Sequence, residues 1–471
     1  MRAWHRSLSL SRRDIPRIAQ HFSVGLGAWL GEVPKGLLNK CKRADKAPFK
    51  RRYATQKPTH GYRGLKPTAT VISSLRDEAA NLRRTLPVLQ LLRSTILAIV
   101  LMYCLFMSAR AIASEDQILV YIGTYTGERS QGIYVSRFEP ATGKLTPPEL
   151  AAKTTNPSFL AVRPKGDFLY AVGELIEDDK PKAGAVVAYR IDRKTGKLTL
   201  LNRRSSGGKG PCHVAVDQTG QCLLVANYGS GTLAALPIQP DGKLGIPSAL
   251  IQDQGSSVNP ERQEGPHAHF TTVSPDNRFA LCCDLGLDKV LVYHLDPAKA
   301  MLSPNDPPSV SITPGSGPRH IAFHPDGRFV CLINELSSTL TLLSYDPQKG
   351  VLKELQTLST LPNDPKVPKS ASEIHFHPNG RFVYASNRGH DSIAIFGFDA
   401  EKGKLTFIEH QESRGKIPRY FGIDPTGQWM LIENQDSNDI VVFRIDPKTG
   451  RLKCTEQQIS VGQPVCAVFV R

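Results

Sequence analysis

Beyond residue 114 this chain has no net charge, no long amphipathic helix pattern and no ordered set of cysteines, and each absence removes a class of function. The formal charge of +16 is confined to the N-terminal part, where residues 1–94 hold 20 Lys/Arg against 5 Asp/Glu. Residues 115–471 carry 38 basic and 38 acidic side chains. A domain that grips nucleic acid concentrates its basic residues on itself, so nucleic acid is excluded as a partner. Of nine cysteines, seven lie beyond Ala113, including the adjacent pair Cys282-Cys283, and they follow no regular spacing. That pattern excludes a disulfide framework and reads as small buried hydrophobes. Glycine-rich phosphate loops, Walker sequences and Gly-x-Ser-x-Gly elbows are missing, which removes the usual nucleotide and serine-hydrolase chemistries. No cofactor is implied.

What is present is one phrase written six times. A short apolar strand leads into Pro-x-Gly-Arg-Phe or a variant, and a second strand follows that ends in Asn or Asp. The copies begin at Ser158, Cys212, His269, Arg319, Ser372 and Arg419, with spacings of 54, 57, 50, 53 and 47 residues. Repeats of this length holding several short strands are the mark of a β-propeller. In the fourth copy Arg319–Phe323 alternates as a strand, Pro325-Asp-Gly-Arg328 turns with Gly at the positive-φ position, and Phe329–Asn334 returns. Thr339–Tyr345, the turn Asp346–Gly350 and a looser run from Leu352 complete four antiparallel strands, one blade. A seventh blade is split between the ends. Pro464–Val470 is a first strand with no successor, and Ile118–Ile122 and Gly132–Phe138 lack a predecessor. Paired, they close the ring without an exposed sheet edge. The fold class is therefore all-β, a seven-bladed propeller over residues 115–471, closed by pairing of the N- and C-terminal strands.

Residues 1–87 show no apolar periodicity and read as a basic, disordered or mis-assigned extension. Within 88–114 the apolar run Thr95–Met107 follows Arg93 and precedes Ala111-Ile-Ala113. That is the charged, apolar, small-residue order of a signal peptide or signal-anchor. The expectation is an exported, periplasmic or envelope protein that meets the membrane only through this segment, and a monomer; an unused signal would leave it cytoplasmic.

A propeller sets equivalent positions of each copy around one channel, so the repeat can be read in columns. The residue six places before the turn proline is Ser158, Cys212, His269, Arg319, Ser372 or Arg419, and the residue ten places after it is Glu174, Tyr228, Leu285, Glu335, Arg388 or Gln435. Both columns fall at the same channel mouth. The turn repeats one residue type while these columns vary, and charged groups of this kind are rarely buried unless paired. The competing reading is a belt of ion pairs holding the blades in register. The column Asn227, Asp284, Asn334, Asn387 and Asn434 does repeat, and reads as side-chain-to-backbone bonding at strand ends. His267 and His269 have the i, i+2 spacing of zinc ligands, but spacing supplies no third ligand, so no metal is assigned. His324 and His377 sit in the turn and read as surface residues.

At Gly317-Pro-Arg-His-Ile-Ala-Phe-His-Pro-Asp-Gly327, Asn334-Glu335 and Ser386-Asn-Arg388 the chain resembles the seven-bladed propeller lactonases. These comprise the propeller-type 6-phosphogluconolactonases and 3-carboxy-cis,cis-muconate lactonizing enzymes. The resemblance covers about 118–471 and implies a site of one His, two Arg and one Glu, which by motif are His269, Arg319, Glu335 and Arg388. Position adds Arg419, Glu373, His320 and Glu174 as substrate-binding candidates. The implied activity is hydrolysis of a small anionic lactone, with Arg319 and Arg388 as an anion clamp, Glu335 as general base and His269 as acid. Run backwards, the same groups would close a muconate ring. A non-catalytic exported binding propeller is a further alternative. A redox-cofactor propeller is disfavoured by only three tryptophans.

Overall fold

The computed structural model describes residues 117–174 and 184–470, together with positions 95, 96 and 102. The readings made for 1–87 and for most of 88–114 lie outside the described residues.

Seven antiparallel sheets are formed. Six are four-stranded meanders whose first strands are Leu160–Val162, Pro211–Val216, Ala268–Val273, Pro318–Phe323, Ala371–Phe376 and Pro418–Ile423. The seventh takes its first strand from the C-terminus: Pro464–Val470 pairs with Ile118–Thr124, with Tyr121 opposite Val468 and Leu119 opposite Val470. These seven first strands touch one another in a closed circle, so they are the innermost strands of a propeller. They share one direction, so their first residues gather at one end of the channel and their last residues at the other.

The second strands explain the apolar runs of the repeat. Cys222–Asn227, Phe279–Asp284, Phe382–Asn387 and Trp429–Asn434 are buried at every position, because neighbouring blades cover both faces. Between the fourth and fifth blades, for example, Ile333, Leu340 and Leu342 pack with Ile374, Phe376 and Val383. The turn column requires positive φ, and Gly327, Gly380 and Gly427 take φ of 74°, 73° and 72°. The third copy meets the same need with Asn277 at 61°, the residue that tolerates this region best after glycine.

Two turn residues correct the sequence reading. His324 and His377 are buried, not superficial. The Nε2 of His324 lies 3.0 Å from the Gly380 carbonyl and that of His377 lies 2.8 Å from the Gly427 carbonyl, while each Nδ1 accepts a bond from its own turn, at 3.2 and 3.1 Å. Each imidazole thus ties its turn to the turn of the next blade. Among the described residues the seven cysteines are free and five of them are buried, as their scatter implied.

Candidate active site

Six of the seven inner strands break their ladder at one place; Leu160–Val162 of the first blade does not. The register with the second strand slips between Ala268 and Phe270, between Pro318 and His320, between Ala371 and Ile374, and between Pro418 and Tyr420. The residues left unpaired are His269, Arg319, the pair Ser372-Glu373, and Arg419. The second and seventh blades slip likewise at Cys212 and Val465. A β-bulge re-aims the extra side chain out of the pleat, and here it turns each one toward the axis. Apart from Ser158, the first polar column is thus made of bulge residues. The second column is fixed by a recurring backbone bond: the N–H groups of Glu335, Arg388, Tyr228 and Gln435 donate to Gly317, Ser370, Gly210 and Ile417, each just before an inner strand.

Glu335 is the centre of the first cluster. Its Oε2 accepts from Arg319 Nε at 3.0 Å and lies 3.0 Å from an Arg388 terminal nitrogen, with His269 Nε2 at 3.9 Å. Its Oε1 accepts from Arg262 at 2.9 Å, and the same Arg262 nitrogen reaches the Tyr228 hydroxyl at 3.1 Å. Arg319 also donates to the Ser372 carbonyl at 2.8 Å and Arg388 to the Ala371 carbonyl at 3.2 Å. Arg388 Nε and His269 Nδ1 are buried without a partner.

A second cluster joins Glu174, Arg419, Tyr125 and Ser158. Arg419 donates to the Tyr125 hydroxyl at 3.0 Å, and that hydroxyl donates to Glu174 at 3.1 Å. Ser158 also donates to Glu174. Below both clusters, His320 Nδ1 faces the Glu373 carboxylate at 3.1 Å. Arg319 has only hydrogens to offer His320 Nε2 at 3.2 Å, so Nδ1 carries the imidazole proton toward Glu373. The rings of Phe159, His213, Phe270 and His320 then close the channel, with His213 3.9 Å from Phe159 and 4.1 Å from Phe270.

His269, Arg319, His320, Glu373, Arg419 and Glu174 line one narrow recess with Cys212, Tyr420 and Val465; about 10 Å³ of it admits the centre of a water-sized sphere, enough for a single water. All eight candidate side chains therefore meet at one end of the channel. Arg262 and Tyr125 were not among them: Arg262 sits in a connection outside the repeat, whereas Tyr125 holds the second column of the split seventh blade, its N–H donating to the Gln463 carbonyl just before the inner strand. His267 does not join His269: the bulge breaks the i, i+2 alignment, and His267 instead stacks on Tyr228, 4.5 Å between ring centres.

The electrostatics differentiate the groups. Burial works to raise the Glu335 carboxyl, yet Arg388, Arg319 and the Arg262 bond outweigh it and hold it well below the carboxylate range. Burial, reinforced by Arg319 and His320, pushes His269 well below its ordinary value, so the ring is neutral at pH 7. Burial raises Glu174 and Glu373 against the groups bonded to them.

Residues 119–469 match the family described as lactonase, seven-bladed β-propeller. The chain belongs to that family. It is 38% identical over 351 residues to the 6-phosphogluconolactonase of Bacillus subtilis, spanning 74% of this chain and 98% of that one. It is 34% identical over 309 residues to the 6-phosphogluconolactonase of Formosa agariphila, spanning 65% and 86%. Among solved structures, the periplasmic gluconolactonase of Pseudomonas aeruginosa superposes with a TM-score of 0.71 at 34% identity, covering 75% of this chain and 99% of that one. The activity class of this propeller is accordingly that of a 6-phosphogluconolactonase-like lactone hydrolase.

Proposed function

We propose that the propeller hydrolyses an anionic sugar lactone at the Glu335 end of its channel. The observation that carries this reading is a single carboxylate shared by Arg262, Arg319 and Arg388 beside a neutral imidazole. Arg388, with an unbonded buried Nε, and Arg262, whose side chain is 42% exposed, take the phosphate or carboxylate of the substrate as a fork. Arg319, in the recess, stabilises the oxyanion that forms as water adds to the carbonyl.

The proton inventory changes two of the roles read from sequence. A carboxylate stabilised by three guanidiniums is a weak base, so Glu335 holds the guanidiniums in place rather than activating water. His269 is neutral and its Nδ1 is unbonded. It takes a proton from the attacking water and returns it to the ring oxygen as the C–O bond breaks. Arg419, bonded to Tyr125, and Tyr125, bonded in turn to Glu174, orient the sugar hydroxyls on the facing side. The propeller acts as a monomer, exported when the signal segment is used; the periplasmic relative supports that location.

The test is base consumption by the mature domain against phosphorylated, carboxylated and uncharged lactones. Arg388→Ala lowers kcat/KM on the anionic substrates by about 10² or more while sparing the uncharged one. Equal rates on all three substrates, or an unchanged Arg388→Ala, would refute the assignment.

A further inference from the structure

Two recesses open on the axis from opposite ends. The first is the site above, lined by residues at the start of inner strands. The second, of about 400 Å³, is lined by residues at or near their ends, among them Val162, Phe376, Ile423 and Phe469, together with His375 and Tyr420. It is apolar apart from His375 and the Tyr420 hydroxyl. Between the two recesses lies a short line of proton-carrying groups that the hydrolytic step leaves unused.

The line starts at His320, whose ring centre is 5.2 Å from that of His269. Its Nδ1–H faces Glu373 at 3.1 Å. Glu373 sits at the bulge, is 2% exposed, and receives the backbone N–H of Ile374 at 2.9 Å. On the far side its Oε1 lies 3.9 Å from Nε2 of His375, a buried nitrogen with no other partner, while the Phe421 carbonyl engages the same ring. The His375 side chain is 35% exposed and lines the second recess. Glu433 adjoins Glu373 from the sixth blade, fully buried with both oxygens unbonded. Arg319, Tyr420 and Cys466 are the other ionisable groups around this line.

We propose that His320, Glu373 and His375 carry the product proton from the active site to the opposite face of the propeller. The inference rests on the hydrolase reading. Water adds to the lactone, its hydroxyl going to the carbonyl carbon and its other hydrogen to the ring oxygen. The hydroxy acid so formed ionises at neutral pH, and one proton per turnover must leave. At the mouth it would meet Arg262, Arg319, Arg388 and Arg419, four cations against the carboxylates Glu335 and Glu174. Along the axis it enters His320 at Nε2 as the Arg319 N–H turns away, leaves from Nδ1 to Glu373, passes to the buried Nε2 of His375 as that ring moves across the 3.9 Å gap, and is replaced by release of the proton from the other ring nitrogen, the one held by the Phe421 carbonyl, to water in the second recess. Burial raises Glu373 and lowers His320 and His375, which brings a carboxyl and two imidazoles toward a common affinity for the proton.

The test compares His375→Gln and Glu373→Gln with the parent, following lactone disappearance at neutral pH in minimal buffer and again with imidazole added. Loss of the relay lowers kcat by about tenfold or more in minimal buffer, and imidazole, which can enter the second recess, restores it in His375→Gln. An unchanged kcat in minimal buffer, or a loss that imidazole does not restore in a variant melting like the parent, overturns the relay. His375→Asn is the second variant, since this partly exposed position tolerates change better than Glu373. Should Arg388→Ala lose activity while both His375 variants keep it, the relay fails and the hydrolase reading stands. Should all retain it, both fail.

Discussion

Glu335→Gln keeps the shape of the side chain and removes only its charge. In the native protein that charge is shared by three guanidiniums, two of them largely buried: the side chains of Arg319 and Arg388 are 3% and 13% exposed, and Glu335 itself 7%. The amide leaves Arg319 and Arg388 in a low-dielectric channel with Arg419 nearby and no carboxylate on their nitrogens. Removing one partner of a buried ion pair costs about 3–5 kcal/mol, chiefly because the other partner stays buried unpaired. The upper half of that range applies, since two such cations are stranded. Chemical denaturation at pH 7, comparing midpoints at equal m, measures the loss. The pH dependence has a definite sign. The folded-state value of Glu335 is depressed, so its stabilisation is complete above the unfolded value of about 4.3 and disappears as pH falls through the folded value. The gap between parent and Glu335→Gln therefore narrows in acid. A loss under about 1 kcal/mol at pH 7, or a gap that does not change on acidification, would show that solvent, not Glu335, satisfies these guanidiniums.

Other outcomes follow from the same contacts. As the proton acceptor, His269 must be neutral, and its value lies well below 6.5; the acid limb of kcat/KM is expected below that pH, and His269→Gln should abolish activity rather than move the limb. His324→Ala and His377→Ala each leave a glycine carbonyl of the next blade unpaired. Each is expected to cost about 1–3 kcal/mol by denaturant titration, with kcat/KM unaffected because both lie in turns at the far ends of inner strands from the site.

Much of this could be read from residue types and their spacing. Strand and turn alternate on local grounds, through apolar runs, proline and a residue tolerant of positive φ, and a repeat of such units leaves few ways to bury both faces of its central strands. The two polar columns were visible for the same reason, since repetition of backbone makes a departure in side chain conspicuous. Arg262 was not legible, because connections between repeats carry no column to align; Tyr125 holds the second column of the seventh blade, but that blade is split between the two ends of the chain and has no turn proline to align on. The burial of His324 and His377 was hidden because their partners, Gly380 and Gly427, are 56 and 50 residues away.

The linear chain settled the wheel and its closure by pairing of the first and last strands, both of which depend on short-range pattern and its recurrence. Folding in three dimensions decided the direction and protonation of the polar ring. Bulges turn His269, Arg319, Glu373 and Arg419 toward the axis, and three guanidiniums from separate blades and loops converge on Glu335. Those properties come from distances between groups remote in sequence and from the exclusion of water, and neither quantity exists until the blades have packed.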